Sequence, residues 1–339
     1  MEEMLVDNQG AERAQAAQGL AQAAARVGAA VSVWIGFRLL FLLVDMMVIN
    51  RLKASGVSDN ILQVTDLALS AVGVYLIATP IALWVLGLFK NGRFQALFAK
   101  SRMPGRELAA AIPMGYTVTI AVNLVATVIM LVASGSLQQV IDQNPILNMP
   151  KGTLGVTLNY LWAVLIAPIF EEVFFRGALI STLKRYGNWF AVLVSAVLFG
   201  LAHGNVAQML YAFVLGLVLG MVFVKSGSVL PGILMHFAIN FLGITISTFF
   251  SPETMGVVAI LGLLVAAVLI TGVILIIITL VNFKEKLRLG NGCTQLSRSE
   301  KVMGLFKSPF VILMLLLTLI FLAVATVPGL AEQIAQLLE

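Results

Sequence analysis

The sequence predicts an all-α protein, a polytopic bundle of about eight or nine transmembrane helices. Hydrophobic residues make up 60% of the chain and charged residues only 11%, whereas a soluble domain carries about 25% charged residues. The apolar runs are about 20 residues long, which is the length that a helix needs to cross a bilayer. Lipid offers no hydrogen-bond partner to an unpaired backbone amide, so such runs favour helices. The composition therefore predicts a multi-pass integral membrane protein.

Nine apolar runs are candidate spans, and the fifth of them is short. They cover residues 30–50, 64–89, 109–134, 154–178, 188–203, 205–224, 229–250, 256–282 and 309–327. The spans and loops divide the chain into four parts. These are an Ala/Gln-rich cytosolic extension (1–28), a transmembrane core (29–282), a basic cytosolic loop (283–308) and a C-terminal segment with an additional span (309–339).

The distribution of basic residues predicts the orientation of the chain. With a cytosolic N-terminus, sixteen of the 21 Lys and Arg residues fall in cytosolic segments and three in the opposite loops. This asymmetry is typical of membrane proteins, whose cytoplasmic loops are rich in Lys and Arg. It also accounts for the pI near 9.4 without a nucleic-acid partner, and none is predicted. In a prokaryote, the expected location is the plasma (inner) membrane, with membrane lipids as surroundings.

Few ionisable side chains lie within the predicted spans, and each is a functional candidate because a charge at the bilayer centre costs roughly 3 kcal/mol or more. They are Arg38, Asp45, Glu171, Glu172, Arg176, His203 and His236. Arg38 and Asp45 are seven residues apart on the first span and share one helical face. We expect these two to pair with each other or with a neighbouring helix.

The stretch IAPIFEEVFFRGALI, residues 166–180, holds three of these charges. Glu172 and Arg176 have the i, i+4 spacing at which a carboxylate and a guanidinium meet on a helix. This pair is predicted to support the architecture. Glu171 points about 100° away and lacks that cation. It is therefore the candidate general base.

Both histidines of the chain lie in predicted spans. His203 ends the stretch LFGLAH, four residues after Phe199, and His236 lies four residues before Asn240. Convergence of these groups on Glu171 predicts a catalytic cavity within the membrane, in which the base activates water and His236 and Asn240 donate to an oxyanion. Two His and one Glu also form a hydrolytic zinc set, but the HExxH spacing is absent. No metal cofactor is predicted, and zinc stays open as an alternative.

Three motifs in this region resemble those of the CAAX protease and bacteriocin-processing family, also called CPBP or Abi. These are the intramembrane glutamic endopeptidases related to the Ras-converting CAAX endoprotease. The stretch EEVFFR matches the motif EExxxR, FGLAH matches FxxxH and HFAIN matches HxxxN. They occur in the family's order over roughly residues 150–250. One such motif is common by chance, but three in order are specific.

The resemblance implies a role for each matched residue. Glu171 activates the water with help from His203, while His236 and Asn240 form the oxyanion site. Glu172, Arg176 and Phe199 support the architecture of the site. The family fold is an eight-helix bundle around a cavity that opens to the cytosol and the bilayer. The span at 309–327 and the Ala-rich start depart from that fold.

The expected activity is hydrolysis of a peptide bond near the cytosolic membrane face. The expected substrate is a prenylated, CAAX-like C-terminus or a membrane-associated peptide precursor. Two alternatives stay open. A non-catalytic scaffold or immunity protein of the same fold would use the cavity to bind a partner membrane protein. A proton-coupled transporter would use the buried Glu and His as a relay, but the polar groups cluster toward one face.

Overall fold

The computed structural model describes residues 2–136, 138, 140, 152–249, 255–281, 289, 295–327, 330, 333 and 334. Every regular element in these ranges is helical. In chain order the main helices are α1 (Glu2–Ala54), α2 (Asp59–Ala71), α3 (Thr79–Val85), α4 (Arg93–Ala96), α5 (Gly105–Ser134), α6 (Gly152–Asn159), α7 (Ala167–Glu171), α8 (Ser181–Leu183), α9 (Asn188–Ala202), α10 (Val206–Ser226), α11 (Leu230–Phe249), α12 (Met255–Val281), α13 (Arg298–Phe306) and α14 (Pro309–Thr326). The predicted all-α bundle is confirmed.

Eight helical segments in the described ranges are long and apolar enough to cross a membrane. They account for eight of the nine predicted spans, and the protein is a multi-pass integral membrane protein. The ninth predicted span, the fifth in chain order, is the shorter helix α9 of 15 residues. At 1.5 Å per residue it is about 22 Å long, less than the hydrocarbon thickness.

The Ala/Gln-rich extension is not separated from the first span. Helix α1 runs without a break through residue 28, where the sequence suggested a boundary. The last turns of the extension are buried: Leu20 is 1% exposed and Ala24 0%. A Cβ on Gly304 of α13 would lie 2.9 Å from the Leu20 side chain, so the extension packs directly against the basic loop. Apolar contact explains why it continues the helix.

The basic loop at 283–308 is described in part, and its residues 298–306 form helix α13. Ser297 caps this helix, because its hydroxyl oxygen accepts a hydrogen bond from the Glu300 amide. In turn, the Glu300 carboxylate accepts a hydrogen bond from the Ser297 amide. The Ser297 hydroxyl and amide, helped by Arg13, lower the pKa of Glu300 to about 2. Arg13 of α1 forms an ion pair with Glu300 at 2.8 Å. This exposed contact joins the start of α1 to the loop.

The additional C-terminal span, α14, packs along α1. A Cβ on Gly28 would lie 2.6 Å from the Phe310 backbone, so the two helices approach closely where α14 begins. Further along, Val311, Met314 and Phe321 of α14 are all buried. The span that departs from the expected eight-helix fold is therefore an integral part of the bundle.

Small residues also bring α9 and α10 together. A Cβ on Gly216 would lie 3.0 Å from the Ala196 Cα, and one on Gly220 would lie 2.9 Å from Val192. Such small residues four apart allow helix backbones to approach closely in membranes. The contact carries the end of α9 into the centre of the bundle.

Three stretches near the centre are π-helical, at Val72–Ala78, Tyr160–Ile166 and Glu172–Ile180. Short π segments inside α-helices are frequent at functional sites. Two of them flank α7, which ends at Glu171. The third holds the buried Tyr75. The local change of helical pitch is not visible in a 3.6-residue periodicity.

Candidate active site

A cavity of about 580 Å³ lies inside the bundle, within the range of small-ligand sites. Its walls include the candidate catalytic side chains Glu171, His203, His236 and Asn240, together with Phe199. The predicted site residues therefore meet in one cavity, although they come from three separate parts of the chain. Glu172 and Arg176 lie behind this surface, each with a fully buried side chain.

Glu171 faces the cavity with 14% of its side chain exposed. The Tyr75 hydroxyl donates a hydrogen bond to its Oε1 at 3.0 Å. Its Oε2 lies 3.9 Å from Nε2 of His236. The carboxylate is thus held at one oxygen by a neutral donor and presents the other oxygen to the imidazole and the cavity.

Glu172 connects two of the motifs. Its Oε1 lies 2.9 Å from Nη1 of Arg176, the ion pair that the i, i+4 spacing predicts. The same oxygen lies 3.1 Å from Nδ1 of His236. Because a carboxylate only accepts, the imidazole donates through Nδ1–H. His236 therefore stands between the two glutamates, oriented by Glu172 at Nδ1 and facing Glu171 with Nε2.

The Phe199 ring is the packing centre of the site. The Arg176 guanidinium lies 4.1 Å from the ring centroid, a cation–π contact inside a desolvated region. The same ring packs edge-on against His203 at 4.9 Å and against His236 at 5.8 Å. One phenyl ring thus contacts the buried cation and both imidazoles.

His203 follows the last residue of α9, and its Nδ1 lies 2.8 Å from the Phe199 carbonyl oxygen. A carbonyl only accepts, so Nδ1 carries the hydrogen in this contact. In the neutral ring, Nε2 is then an acceptor. This tautomer can accept a hydrogen bond from a water molecule in the cavity.

Asn240 lies one helical turn beyond His236 on α11. Its Nδ2 donates a hydrogen bond to the Ala163 carbonyl at 2.7 Å. That bond fixes the carboxamide and uses one of its two amide hydrogens, which leaves the second for another acceptor. Within the described ranges, no group of three or more His, Cys, Asp and Glu side chains is arranged to hold a metal ion.

Residues 153–242, which contain all three motifs, match the family described as type II CAAX prenyl endopeptidase Rce1-like. The chain carries an Rce1-like domain. The resemblance found in the motifs is thereby confirmed for this region. A 100-residue stretch is also 30% identical to an uncharacterized 24.3 kDa protein of Escherichia coli, covering 28% of this chain and 46% of that protein. The chain thus spans less than half the length of this curated relative. No solved structure matches the chain.

Two cavity residues lie outside the three motifs and could not be identified from them. Tyr75 lies outside the matched domain and contacts Glu171 only through tertiary folding. Arg38 and Asp45 were expected to pair with each other or with a neighbouring helix. Each contacts a neighbouring helix: the Asp45 side chain lies beside Asp66 of α2, and the Arg38 guanidinium lies over the Phe321 ring of α14. Both Arg38 and Tyr75 line the cavity. In the sequence, only their polar side chains within apolar spans could have indicated a place in the cavity.

Replacement of Tyr75 by Phe tests the hydrogen bond to Glu171. We expect kcat for peptide hydrolysis to fall about 10- to 100-fold, since a hydrogen bond to a charged group contributes about 1.5–3 kcal/mol. KM should stay within about twofold, because the hydroxyl contacts the candidate base Glu171 and is expected to act on the substrate only through it. Steady-state kinetics of purified protein provides the check. An equal rise in KM with constant kcat would contradict a positioning role.

Replacement of Gly232 by Ala tests the close approach of α11 to Glu172. A Cβ at this position would lie 2.8 Å from Glu172 Oε2, so the buried ion pair must shift. We expect a loss of about 1–3 kcal/mol in the free energy of unfolding. Gly243→Ala is the matched control on the same helix, since a Cβ there meets nothing within 4 Å. Equal unfolding free energies for both variants would contradict this packing account.

Proposed function

We propose that this protein is an intramembrane endopeptidase in which Glu171 activates water for attack on a peptide bond. The observation that carries the proposal is the meeting of Glu171, His203, His236 and Asn240 in one cavity. General-base catalysis requires a base within hydrogen-bond reach of the water, directly or through a second water. A water between Glu171 and the unprotonated Nε2 of His203 would have two acceptors.

In the proposed reaction, the water oxygen attacks the scissile carbonyl carbon as Glu171 takes one of its protons. The carbonyl oxygen becomes an oxyanion in the tetrahedral intermediate. Collapse of the intermediate breaks the carbon–nitrogen bond, and Glu171 returns the proton to the leaving amine. The products are a carboxylic acid and an amine, and the enzyme is regenerated. No redox step or co-reactant is needed.

His236 and Asn240 are the proposed oxyanion donors. Glu172 holds Nδ1 of His236 at 3.1 Å, so Nε2 is the nitrogen that can donate into the cavity when it carries a proton. The second amide hydrogen of Asn240 is the other donor. Prearranged donors of this kind contribute several kcal/mol to the stabilisation of an oxyanion.

The proposed substrate is a membrane-associated peptide precursor or a protein with a lipidated, CAAX-like C-terminus. The proposed cleavage site lies near the cytosolic face, under the orientation with a cytosolic N-terminus that the Lys and Arg distribution favours. A helical bundle with a cavity between its spans offers such a segment an enclosed site within the membrane.

The test is a comparison of protein termini in cells that contain wild type, a deletion or Glu171→Gln. Mass spectrometry of terminal peptides from the membrane and secreted fractions identifies each cleavage product. We expect at least one new terminus that depends on wild type and is absent in both other strains. If Glu171→Gln behaves as wild type while the deletion alters the cell, the protein acts as a non-catalytic scaffold and the proposal is wrong.

A further inference from the structure

Arg38 lines the same cavity as Glu171 but forms no ion pair with any residue that the structure describes. Its guanidinium also forms no hydrogen bond with any residue in the described ranges. Glu171 lines the same cavity but lies beyond the 4.0 Å of an ion pair. Membrane-buried Arg residues almost always pair with an acid or a carbonyl. The missing partner points to a ligand.

Two aromatic rings hold the guanidinium in place. It lies 5.4 Å from the centroid of the Trp34 ring and 5.1 Å from that of Phe321. Trp34 is itself fixed, because it donates a hydrogen bond to Thr79 and stacks on Phe174. Neither ring is a conventional hydrogen-bond acceptor, so the N–H donors of the guanidinium stay available. A planar guanidinium can donate two parallel hydrogen bonds to the two oxygens of a carboxylate.

Phe321 comes from α14, the span that departs from the expected eight-helix fold. It is 4% exposed and lines the cavity together with Arg38. A Cβ on Gly204 would overlap the Phe321 ring, so this ring also packs against the residue that follows His203. The additional helix therefore forms the cavity wall between the cation and the candidate catalytic histidine.

We propose that Arg38 is a carboxylate-binding residue of the substrate site, clamped by Trp34 and Phe321. This inference rests on the proposed peptidase function and narrows its substrate class. The preferred peptide carries a carboxylate close to the scissile bond. That carboxylate is either the free chain end or an Asp or Glu side chain, since both have the same chemistry.

The probe is a library of N-palmitoylated peptides. Each sequence is made as the free acid, as the carboxamide, and as a carboxamide with one internal Gln replaced by Glu. The library is incubated with Glu171→Gln protein in phosphatidylcholine nanodiscs, and captured peptides are quantified by mass spectrometry. The same capture is repeated with double variants that combine Glu171→Gln with Arg38→Gln or with Arg38→Lys. A third double variant, with Arg51→Gln at the exposed end of α1, is the matched control.

We expect carboxylate forms to be enriched about tenfold or more over their carboxamides, as charge-assisted hydrogen bonds allow. Enrichment of the free acids identifies a chain-end carboxylate, and enrichment of the Glu peptides identifies a side-chain carboxylate. Arg38→Gln should abolish the preference, Arg38→Lys should retain part of it, and Arg51→Gln should leave it unchanged. Equal capture of all three forms would overturn the proposal, as would a preference that survives Arg38→Gln.

If an Arg38 variant does not fold, the acid-to-carboxamide ratio on the Glu171→Gln protein still tests the proposal, because equal capture of acids and carboxamides would overturn it. Incubation of the same library with wild type separates the two proposals. If captured peptides stay intact, the peptidase function fails while the carboxylate preference still tests Arg38. If they are cleaved without any preference for carboxylates, the function stands and the assignment of Arg38 fails.

Discussion

Glu171→Gln is expected to lower kcat for peptide hydrolysis by about 10²- to 10⁴-fold, which is the usual contribution of a general base. The amide keeps the size of the side chain and still accepts the hydrogen bond from Tyr75, but it cannot take a proton from water. The free energy of unfolding should change little, because Glu171 is partly exposed to the cavity and lies outside the Glu172–Arg176 ion pair.

The measurement uses purified protein and a substrate identified from the terminal-peptide comparison. Glu107→Gln is a suitable control, since it makes the same chemical change at an exposed acid in the first turn of α5. We expect this control to retain the kcat of wild type. If Glu171→Gln kept more than about a tenth of the activity, a role as general base would be ruled out by the size of that contribution.

Arg176→Met is expected to cause the largest loss of stability, about 3–5 kcal/mol in the free energy of unfolding. Both side chains of the Glu172–Arg176 pair are 0% exposed. Removal of the guanidinium leaves Glu172 buried without its cation, and the desolvation cost of that carboxylate is no longer offset. The contact between Arg176 and the Phe199 ring is lost as well.

The double variant Glu172→Gln/Arg176→Met separates charge from packing. With both charges removed, most of the lost stability should return, because an uncharged pair of similar volume pays no desolvation penalty for a buried ion. Activity should stay low, since the amide that replaces Glu172 can still accept from Nδ1 of His236 but no longer offers it a negative charge. Denaturant titration in detergent measures the stability, with the exposed Arg106→Met as control. A double variant as unstable as the single one would contradict the buried-charge explanation.

The motif spacings predicted the part of the site that depends on local geometry. The contact between Glu172 and Arg176 follows from i, i+4 spacing, and His236 and Asn240 lie one turn apart on α11 for the same reason. The position of His203 was harder to place, because α9 is only 15 residues long. Because α9 is too short to cross the membrane, the number of spans does not define how deep in the bilayer its end lies. Close packing of α9 against α10 through Gly216 and Gly220 brings its end into the cavity.

At residue 28, composition predicted a boundary that the structure does not have. Composition separated an Ala/Gln-rich extension from an apolar span, but α1 crosses that boundary without a break. Alanine and glutamine are strong helix formers, so the local preference already allowed a continuous helix. Burial of Leu20 and Ala24 against other elements then gave the extension a packing partner. Tertiary contact decided the outcome, and composition could not reveal it.

By itself, the sequence determined the fold class, the number of long spans, the family resemblance of the motif region and the local pairs on single helices. These properties depend on composition, run length and residue spacing along one helix. Only the tertiary structure decided that His236 stands between the two glutamates, that Tyr75 binds Glu171, and that Phe321 of α14 covers Arg38. Each of these contacts joins residues far apart in the chain, and no helical period relates them. Their geometry follows from how the helices pack.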